Sequence, residues 1–236
     1  MDDSTFQALN DLNRRFYETV AADFDATRQQ PWEGWVQLAD IVGAGLKPAQ
    51  MSFAVLDVGC GNGRFGVFIA DRVARYVGID SSAALLERAR ESLANINATL
   101  IQRDILIQSP DDSLGTFDLV VLFGVLHHVP DGQRRESLVR SLADRVAPGG
   151  WLVWTEWRFL DVPRFRERIV AWDEGMQVEP GDYLLDWRRG ANALRYCHAV
   201  DDAEHARLVA ATGLATVAEY RADAANLYTV LKREKS

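Results

Sequence analysis

Short apolar runs alternate with helical segments through the middle of the chain. Five runs are apolar at nearly every position rather than at every second one, and they cover residues 53–58, 76–79, 99–102, 117–122 and 151–155. Strands of this kind are typical of a parallel sheet that is buried on both faces. Helices are predicted between them over 64–72, 82–95 and 132–146. The alternation predicts an α/β fold with a doubly wound sheet, in which ligands bind beyond the carboxyl ends of the strands.

Other patterns flank this central region. Apolar residues lie at helical spacing over 4–21, and a second helix is predicted to begin at Pro31. A polar and aromatic stretch follows the fifth strand, and the chain closes with a helix and two apolar runs that predict an antiparallel edge hairpin. We therefore predict a single domain over 1–236, made of a helical cap (1–50), a ligand-binding core (51–157), a substrate-side insertion (158–199) and a C-terminal helix and hairpin (200–236).

The composition is that of a globular protein, with 48% hydrophobic and 25% charged residues among 236. Neither a basic, apolar leader nor a run long enough to span a membrane is visible, so we expect a cytoplasmic protein without membrane association. Cys60 and Cys197 form neither a disulfide framework nor a Cys-x-x-Cys metal site, and we expect both to be buried.

The charge balance is acidic along the whole chain. Lys and Arg number 26 against 34 Asp and Glu, for a net charge of −8. Residues 1–50 carry 4 basic and 8 acidic groups, 51–150 carry 10 and 12, and 151–236 carry 12 and 14. This excludes a protein whose entire surface is built to bind nucleic acid.

A glycine-rich turn follows the first predicted strand. Residues 55–66 read V-L-D-V-G-C-G-N-G-R-F-G, and Gly61, Gly63 and Gly66 satisfy the G-x-G-x-x-G pattern of dinucleotide sites. Asp57 argues against a dinucleotide, because its carboxylate would lie near a pyrophosphate bound at the helix N-terminus. A cofactor with an ammonium group and no phosphate suits Asp57 better.

Acidic and aromatic residues mark the ends of the next strands. Asp80 ends the second strand, where an acceptor can hold ribose hydroxyls. Asp104 follows the third and offers a carboxylate to an adenine amino group, and Phe123 ends the fourth. In order, the set D-x-G-x-G-x-G, I-D-S, R-D, F-D and P-G-G resembles the class I S-adenosylmethionine-dependent methyltransferases. The resemblance implies their Rossmann-like fold, with a mostly parallel seven-stranded sheet.

S-adenosylmethionine is the cofactor that this resemblance implies. A guanidinium from the helical cap, that of Arg28, could pair with the methionine carboxylate or with a substrate acid. The expected cofactor contacts are Arg28, Asp57, Gly59, Gly61, Asp80, Ser81, Asp104, Ile105 and Phe123.

Segments outside the core resemble a narrower group, the tRNA wobble-uridine carboxymethyl methyltransferases of eukaryotes and their bacterial relatives. They are F-Y at 16–17 with D-F-D-A-T-R at 23–28 and P-W at 31–32, L-H-H-V-P at 126–130 with R-R at 134–135, and G-D-Y-L-L-D-W at 181–187 with R-Y-C-H at 195–198. The chain departs from that pattern at Cys197, where an aromatic residue is common, and at Asp186, where proline is. The resemblance implies methyl-ester formation on a carboxymethyl group, and a small activator protein as a partner; a homodimer is the other assembly we consider.

Substrate contacts are expected from aromatic and basic residues, because rings stack on planar substrates. The candidates are Trp32, Trp157, Trp187, Arg195 and His198. Arg195 and His198 have the alternative role of bracing the insertion. The adjacent histidines at 127 and 128 lack a carboxylate or cysteine set at ligand spacing, so no metal is predicted.

The acceptor decides whether a base is needed. A carboxylate is already ionised at neutral pH and needs none, whereas an amine or hydroxyl does, and His127, Tyr17 and Glu156 are the candidates. We expect methyl transfer to a carboxylate or other nucleophile, on a tRNA or a small molecule. The seven arginines and seven acids within 158–195 favour a small molecule. The alternatives are an N-, O- or C-methyltransferase of secondary metabolism, a catalytically silent binding subunit, and a nicotinamide oxidoreductase.

Overall fold

A seven-stranded sheet forms the centre of the protein, in a computed structural model that describes residues 1–26, 30–43, 53–110, 112–173, 175–189 and 191–235. The strands are β1 (Phe53–Val58), β2 (Val73–Asp80), β3 (Ala98–Gln102), β4 (Phe117–Leu122), β5 (Val146–Trp157), β6 (Ile169–Val170), β7 (Asp182–Arg189), β8 (Ala191–His198), β9 (Ala215–Ala222) and β10 (Asn226–Lys232). The helices are α1 (Asp3–Ala26), α2 (Glu33–Gly43), α3 (Arg64–Phe68), α4 (Ala83–Ser92), α5 (Gly132–Ala143), α6 (Pro163–Arg166) and α7 (Asp202–Thr212).

The central sheet has the order β3-β2-β1-β4-β5-β10-β9. The first five strands of that order are parallel, whereas β10 runs antiparallel to both of its neighbours. The mostly parallel seven-stranded fold and the closing edge hairpin predicted from the sequence are therefore confirmed.

Both faces of the central sheet are buried, which explains the continuously apolar strands. On β4, Val120 and Leu122 belong to the core beneath α5 and α7, while Leu119 and Val121 belong to the core beneath α2, α3 and α4. All four are no more than 4% exposed. Side chains that alternate between two apolar layers leave no polar position within the strand.

The predicted elements differ from the observed ones in two places. The helix predicted over 64–72 ends at Phe68 and is followed by a short 3₁₀ turn at Ala70–Arg72, because the chain must reverse into β2 at Val73. The insertion after β5 contains a three-stranded antiparallel sheet of order β6-β7-β8 that the sequence pattern did not predict. The predicted domain boundaries stay predictions.

The helical cap lies against this second sheet. The stripe on α1 that was predicted to be apolar is buried at Phe6, Leu9, Phe16 and Val20. Helix α1 packs along β8, and the ring of Phe16 meets Trp187 of β7 edge-on at 5.5 Å between ring centres. Both cysteines are buried, as expected. Among the helices of the described residues, none is long and apolar enough to cross a membrane.

A buried chain of charges fastens the three-stranded sheet to the core. Arg135 of α5, 1% exposed, donates from Nε to Glu204 Oε1 of α7 at 2.6 Å and from Nη2 to Glu179 at 3.2 Å. His198 of β8 lies between Glu204 and Asp182, with 2.7 Å from a ring nitrogen to each carboxylate. Burial disfavours its charged form, but the bonds to the two carboxylates outweigh burial and raise the pKa of His198. Burial opposes ionisation of Glu204 too, yet His198 and Arg135 lower its pKa to about 2.

Replacing Arg135 with methionine is expected to lower the free energy of unfolding by about 3 to 5 kcal/mol, because Glu204 and Glu179 lose a buried partner. Urea denaturation measures this. The matched control is Arg134→Met on the same helix, whose guanidinium pairs with Asp3 at the surface; its cost is expected to be about 1 kcal/mol or less. Equal losses in the two variants would contradict the account.

Candidate functional site

A cavity of about 420 Å³ opens at the carboxyl ends of β1, β2 and β4. Helix α1 and the β7–β8 hairpin form one wall, and the segment that enters α2 together with the β9–β10 turn forms the other. This is the edge of a doubly wound sheet where the sequence predicts a ligand.

The glycine turn after β1 leaves open space in the cavity. Gly61 has a φ of +55°, a conformation that favours glycine, and a Cβ built there would meet nothing within 4 Å. Its N–H donates to Asp80 Oδ2 at 2.8 Å. The turn and the acid that ends β2 are thereby joined into one surface that faces the ligand space, to which Gly59 and Ser81 also contribute.

The other predicted acids also line the cavity. Asp104 accepts from the Leu106 N–H at 3.0 Å and from the side chain of Asn10 on α1 at 2.8 Å, and Ile105 lies beside it. Burial raises the pKa of Asp80, although the backbone N–H groups that donate to its carboxylate act to lower it. Each carboxylate thus has its position fixed by protein donors.

Asp57 is the most deeply buried of these acids, at 2% exposed. Its Oδ2 accepts from the Tyr76 hydroxyl at 2.5 Å. Burial raises the pKa of Asp57 to about 7, although the Tyr76 bond lowers it. The group therefore changes its charge near neutral pH in the protein without a ligand.

Aromatic rings and one guanidinium line the second wall. Trp32 and Phe123, both predicted site residues, lie with their ring centres 6.3 Å apart. The guanidinium of Arg64 stacks over Trp32 at 4.8 Å and over Trp35 at 5.1 Å. Burial lowers the pKa of Arg64 to about 10, so this residue remains charged at neutral pH.

The far end of the cavity is cationic and aromatic. Arg195 of β8 is 9% exposed, and its guanidinium carbon lies 4.6 Å from the ring centre of Trp157. The rings of Phe16 and Trp187 lie 5.5 and 5.7 Å from it. No carboxylate of the described residues pairs with Arg195. A buried cation that is held by rings alone favours an anionic ligand.

A hydrogen-bonded pair, Tyr17 and His128, lies between the two ends. The Tyr17 hydroxyl is 2.8 Å from His128 Nε2, and His128 Nδ1 is 2.9 Å from the carbonyl oxygen of Tyr196. Because a carbonyl only accepts, Nδ1 carries a proton, and when the ring is neutral Nε2 accepts from the Tyr17 hydroxyl. His127 also lines the cavity, with its ring centre 4.1 Å from that of His128 and 5.2 Å from Trp157.

Two predicted site residues are not brought to this cavity. Glu156 is bound in the core by Trp154 Nε1, Arg158 and His205, at 3.1, 2.9 and 2.6 Å. The pKa of His205 is raised to about 9, mainly because its ring is hydrogen-bonded to Glu156. His198 is held in the buried chain of charges described above. The predicted catalytic role of Glu156 and the predicted substrate role of His198 are therefore corrected to structural roles. A third predicted site residue, Arg28, lies outside the described residues.

Several lining residues were not identified from the sequence. Asn10 and Asn13 are buried polar residues within the apolar stripe of α1, and that break in the stripe was a usable signal. Arg64 follows the glycine turn directly. Asn226, at the start of β10, carried no signal, because only the pairing of strands brings it to the cavity.

Two groups of side chains bring three potential metal ligands within 4.8 Å of one another: His127 with His128 and Cys197, and Glu179 with Asp182 and His198. Both ring nitrogens of His128 hydrogen-bond to protein groups, and burial raises the pKa of the Cys197 thiol to about 11. In the second group both nitrogens of His198 face carboxylates. The prediction that no metal is bound stays a prediction.

Comparison with known proteins gives related sequences. The family described as "Methyltransferase domain" matches residues 55–150. A ubiquinone biosynthesis O-methyltransferase of Alkalilimnicola ehrlichii is 28% identical over 163 residues, which cover 64% of this chain and 64% of that protein. A tRNA (carboxymethyluridine(34)-5-O)-methyltransferase of Saccharomyces cerevisiae is 29% identical over 136 residues, which cover 58% of this chain and 44% of that protein. The chain thus spans less than two thirds of both relatives.

Solved structures share the fold. The N-methyltransferase NodS of Bradyrhizobium japonicum, in complex with S-adenosylhomocysteine, has a TM-score of 0.64 at 19% identity, over 98% of this chain and 99% of that one. The complex of DhpI with S-adenosylhomocysteine has a TM-score of 0.65 at 20% identity, over 97% and 98%. With the glycine turn and the strand-end acids in place, residues 55–150 match a methyltransferase domain, and the chain has the fold of solved S-adenosylmethionine-dependent methyltransferases.

Proposed function

We propose that the protein transfers the methyl group of S-adenosylmethionine to a carboxylate oxygen of an anionic acceptor. The cavity fits this cofactor by its own chemistry. Asp57 suits the ammonium group of the cofactor, and Asp80 suits its ribose hydroxyls. The open space beside Gly61 leaves room for the part of the cofactor that joins these two groups. Arg64, stacked on two tryptophans, offers a cation near the same end.

S-adenosylmethionine supplies an electrophilic methyl carbon whose bond to sulfur breaks, with the electron pair going to sulfur, as the acceptor oxygen bonds to it. The protein's part is to hold the acceptor and exclude water. Fixing two reactants in a near-attack geometry lowers a barrier by about 7 to 11 kcal/mol. Trp157, Trp187 and Phe123 provide an apolar lining for this step.

The observation that carries the carboxylate assignment is Arg195. Its guanidinium is buried, lines the cavity and has three rings but no carboxylate of the described residues as a partner. A guanidinium forms two parallel hydrogen bonds with a carboxylate, so an acceptor acid supplies both the missing charge and the missing acceptors. Such an acid needs no base, because its pKa is about 4.

A small acid and a tRNA-borne carboxylate both meet this requirement. The net charge of −8 favours the small acid. The similarity to a yeast tRNA (carboxymethyluridine(34)-5-O)-methyltransferase favours the tRNA. Further support for tRNA comes from Arg164 and Arg168, which line the cavity without a carboxylate partner among the described residues.

A neutral hydroxyl or amine acceptor is the second candidate, and the Tyr17–His128 pair favours it. A neutral acceptor must lose a proton, and the 2.8 Å bond from the Tyr17 hydroxyl to His128 Nε2 gives that proton a path away from the acceptor.

Binding of S-adenosylhomocysteine is expected to strengthen about tenfold between pH 6 and pH 8. Without a ligand, the raised pKa of Asp57 keeps the group protonated below about pH 7, and only the carboxylate attracts an ammonium group. Titration calorimetry at several pH values measures this. Asp57→Asn should remove the pH dependence, whereas Asp118→Asn, at an exposed strand residue outside the cavity, should retain it. An affinity that does not change with pH in the unaltered protein refutes the assignment.

A methyl-transfer assay tests the carboxylate acceptor. It uses methyl-labelled S-adenosylmethionine with either total tRNA or a mixture of small aromatic acids. The labelled product is expected to release its label in mild alkali, as an ester does. Arg195→Gln should slow transfer by about 100-fold, since a charge-assisted pair of bonds is lost. Arg195→Lys should recover part of the rate.

The matched control for Arg195 is Arg166→Gln, which lies in the same insertion, is exposed and does not line the cavity. Its rate should equal that of the unaltered protein. Label that survives alkali, or an Arg195→Gln rate as high as the control, argues against the carboxylate acceptor. Transfer to tRNA that falls steeply with salt identifies the nucleic acid as its carrier.

Tyr17→Phe separates the two candidates. With a carboxylate acceptor the rate should fall less than tenfold, and its pH profile should keep its shape, because no proton is removed. The pH dependence of the rate is the measurement. A fall in the transfer rate of about 100-fold or more, together with loss of the rise in rate with increasing pH, instead supports the neutral acceptor.

A further inference from the structure

We propose that the acceptor is a small dianion. Its first anionic group, the carboxylate that takes the methyl group, binds Arg195. A second oxyanion, a carboxylate or a phosphate, binds Arg164 and Arg168 at the rim of the cavity. This inference rests on the proposed carboxylate acceptor and adds a second anionic group to the same molecule.

The two rim arginines project from the same side of one helical turn. Arg164 lies in α6, and the turn continues beyond the end of that helix, because the Arg168 N–H donates to the Phe165 carbonyl at 3.1 Å. Residues four apart on a helix are neighbours on its surface. Arg164 and Arg168 accordingly both line the cavity, whereas Arg166, halfway between them, does not. The turn therefore presents two cations to the same space.

Among the described residues, no acid forms an ion pair with either rim arginine. Arg14 of α1 also lines the cavity, but it has a carboxylate partner in Asp11 at 3.5 Å. The acids that line the cavity are held by other groups: Asp57 by Tyr76, Asp80 by Gly61, Asp104 by Asn10 and Asp223 by Tyr228. Like charges four residues apart destabilise a helical turn, and an anionic ligand would remove that repulsion.

Two aromatic rings connect the rim to Arg195. The guanidinium carbon of Arg164 lies 4.8 Å from the ring centre of Phe165, and that ring meets Trp157 edge-on at 4.8 Å. The Trp157 ring carries the guanidinium of Arg195 at 4.6 Å. The two cationic positions are thus separated by two rings in contact, a span that one small molecule can bridge. Both rings line the cavity, so they offer an apolar surface to the carbon frame between the two anionic groups.

Strand pairing fixes the rim relative to Arg195. The carbonyl of Arg168 accepts from the Asp186 N–H of β7 at 2.8 Å. The next residue, Ile169 of β6, pairs with Leu185 of β7, which in turn pairs with Arg195 of β8. The turn that carries the rim arginines is therefore anchored to the sheet that carries Arg195. The fold thus sets the spacing between the two anion positions.

The charge of the rest of the chain favours a small molecule over RNA. The net charge is −8, and residues 158–195 hold seven acids and seven arginines. Arg164, Arg168 and Arg195 differ from this balance because they face the cavity without a carboxylate partner among the described residues. A dianion that fits within the cavity meets these three cations, whereas the phosphates of an RNA extend beyond it, along a chain whose charge is acidic.

Three probes of one shape test the proposal on the protein saturated with S-adenosylhomocysteine. Terephthalate carries two carboxylates, 4-phosphonobenzoate carries a carboxylate and a phosphonate, and 4-carbamoylbenzoate carries one carboxylate and a neutral amide. Titration calorimetry in dilute and in concentrated salt gives the dissociation constants. At least one dianion is expected to bind about tenfold or more tightly than the monoanion in dilute salt, with a ratio that falls as salt is added. The tighter dianion identifies the second oxyanion.

Joint replacement of both rim arginines, Arg164→Gln with Arg168→Gln, should remove the advantage of the dianions and leave 4-carbamoylbenzoate within about twofold. Arg166→Gln, on the same turn but outside the cavity lining, is the matched control and should keep the advantage. Equal affinities of the unaltered protein for the monoanion and both dianions, or an advantage that survives the joint replacement, overturn the rim site.

Arg195→Gln separates this inference from the function on which it rests. It should weaken all three probes. If it changes none of them, the carboxylate assignment of Arg195 fails, while the joint replacement still reports on the rim. Total tRNA provides the last comparison. If it displaces 4-carbamoylbenzoate from the unaltered protein but not from the joint variant, and no dianion has an advantage, the rim arginines bind RNA phosphates and the small dianion is wrong.

Discussion

The buried chain of charges from Arg135 through Glu204 and His198 to Asp182 holds the three-stranded sheet on the core. Charges that are this deeply buried are tolerated only when each has its partners, so the hairpin has one position in which Glu204 and His198 are both satisfied. That position brings β8 to the cavity. It delivers the guanidinium of Arg195, and it places the Tyr196 carbonyl that fixes the tautomer of His128. The end of the cavity that holds Arg195 thus depends on an ionic cluster that lies outside the cavity lining.

The two buried arginines at this side of the protein differ in their partners. Arg135 and Arg195 are both buried, but Arg135 has two carboxylate partners whereas Arg195 has rings. Asp57, Asp80 and Asp104 lie at the cofactor end of the cavity together with Arg64, and Arg195, which has no carboxylate partner among the described residues, lies at the other end. A sulfonium cofactor and an acid acceptor would complement this division, so the charges of the cavity match the proposed reaction better than the net charge of the chain does.

The parts that the sequence predicts well are those governed by local pattern. Continuously apolar strands indicate a sheet buried on both faces, and acids at the strand ends must share one edge of that sheet. The errors come from side-chain direction. Residues 195 and 198 of β8 differ by an odd number, so they face opposite sides, and only one of Arg195 and His198 reaches the cavity. Glu156 and Trp157 are likewise neighbours on β5 and cannot both face it. Asn226 required knowledge of which residue lies opposite Trp157, and that register is a tertiary property.

The central claim is that the cation of Arg195 is completed by the acid of an acceptor. A crystal structure of the protein with S-adenosylhomocysteine and benzoate tests it most directly. The account predicts a benzoate carboxylate within hydrogen-bond distance of both terminal nitrogens of Arg195, with the guanidinium still stacked on Trp157. A carboxylate bound elsewhere in the cavity, or a guanidinium turned away into a pair with a protein acid, would contradict it.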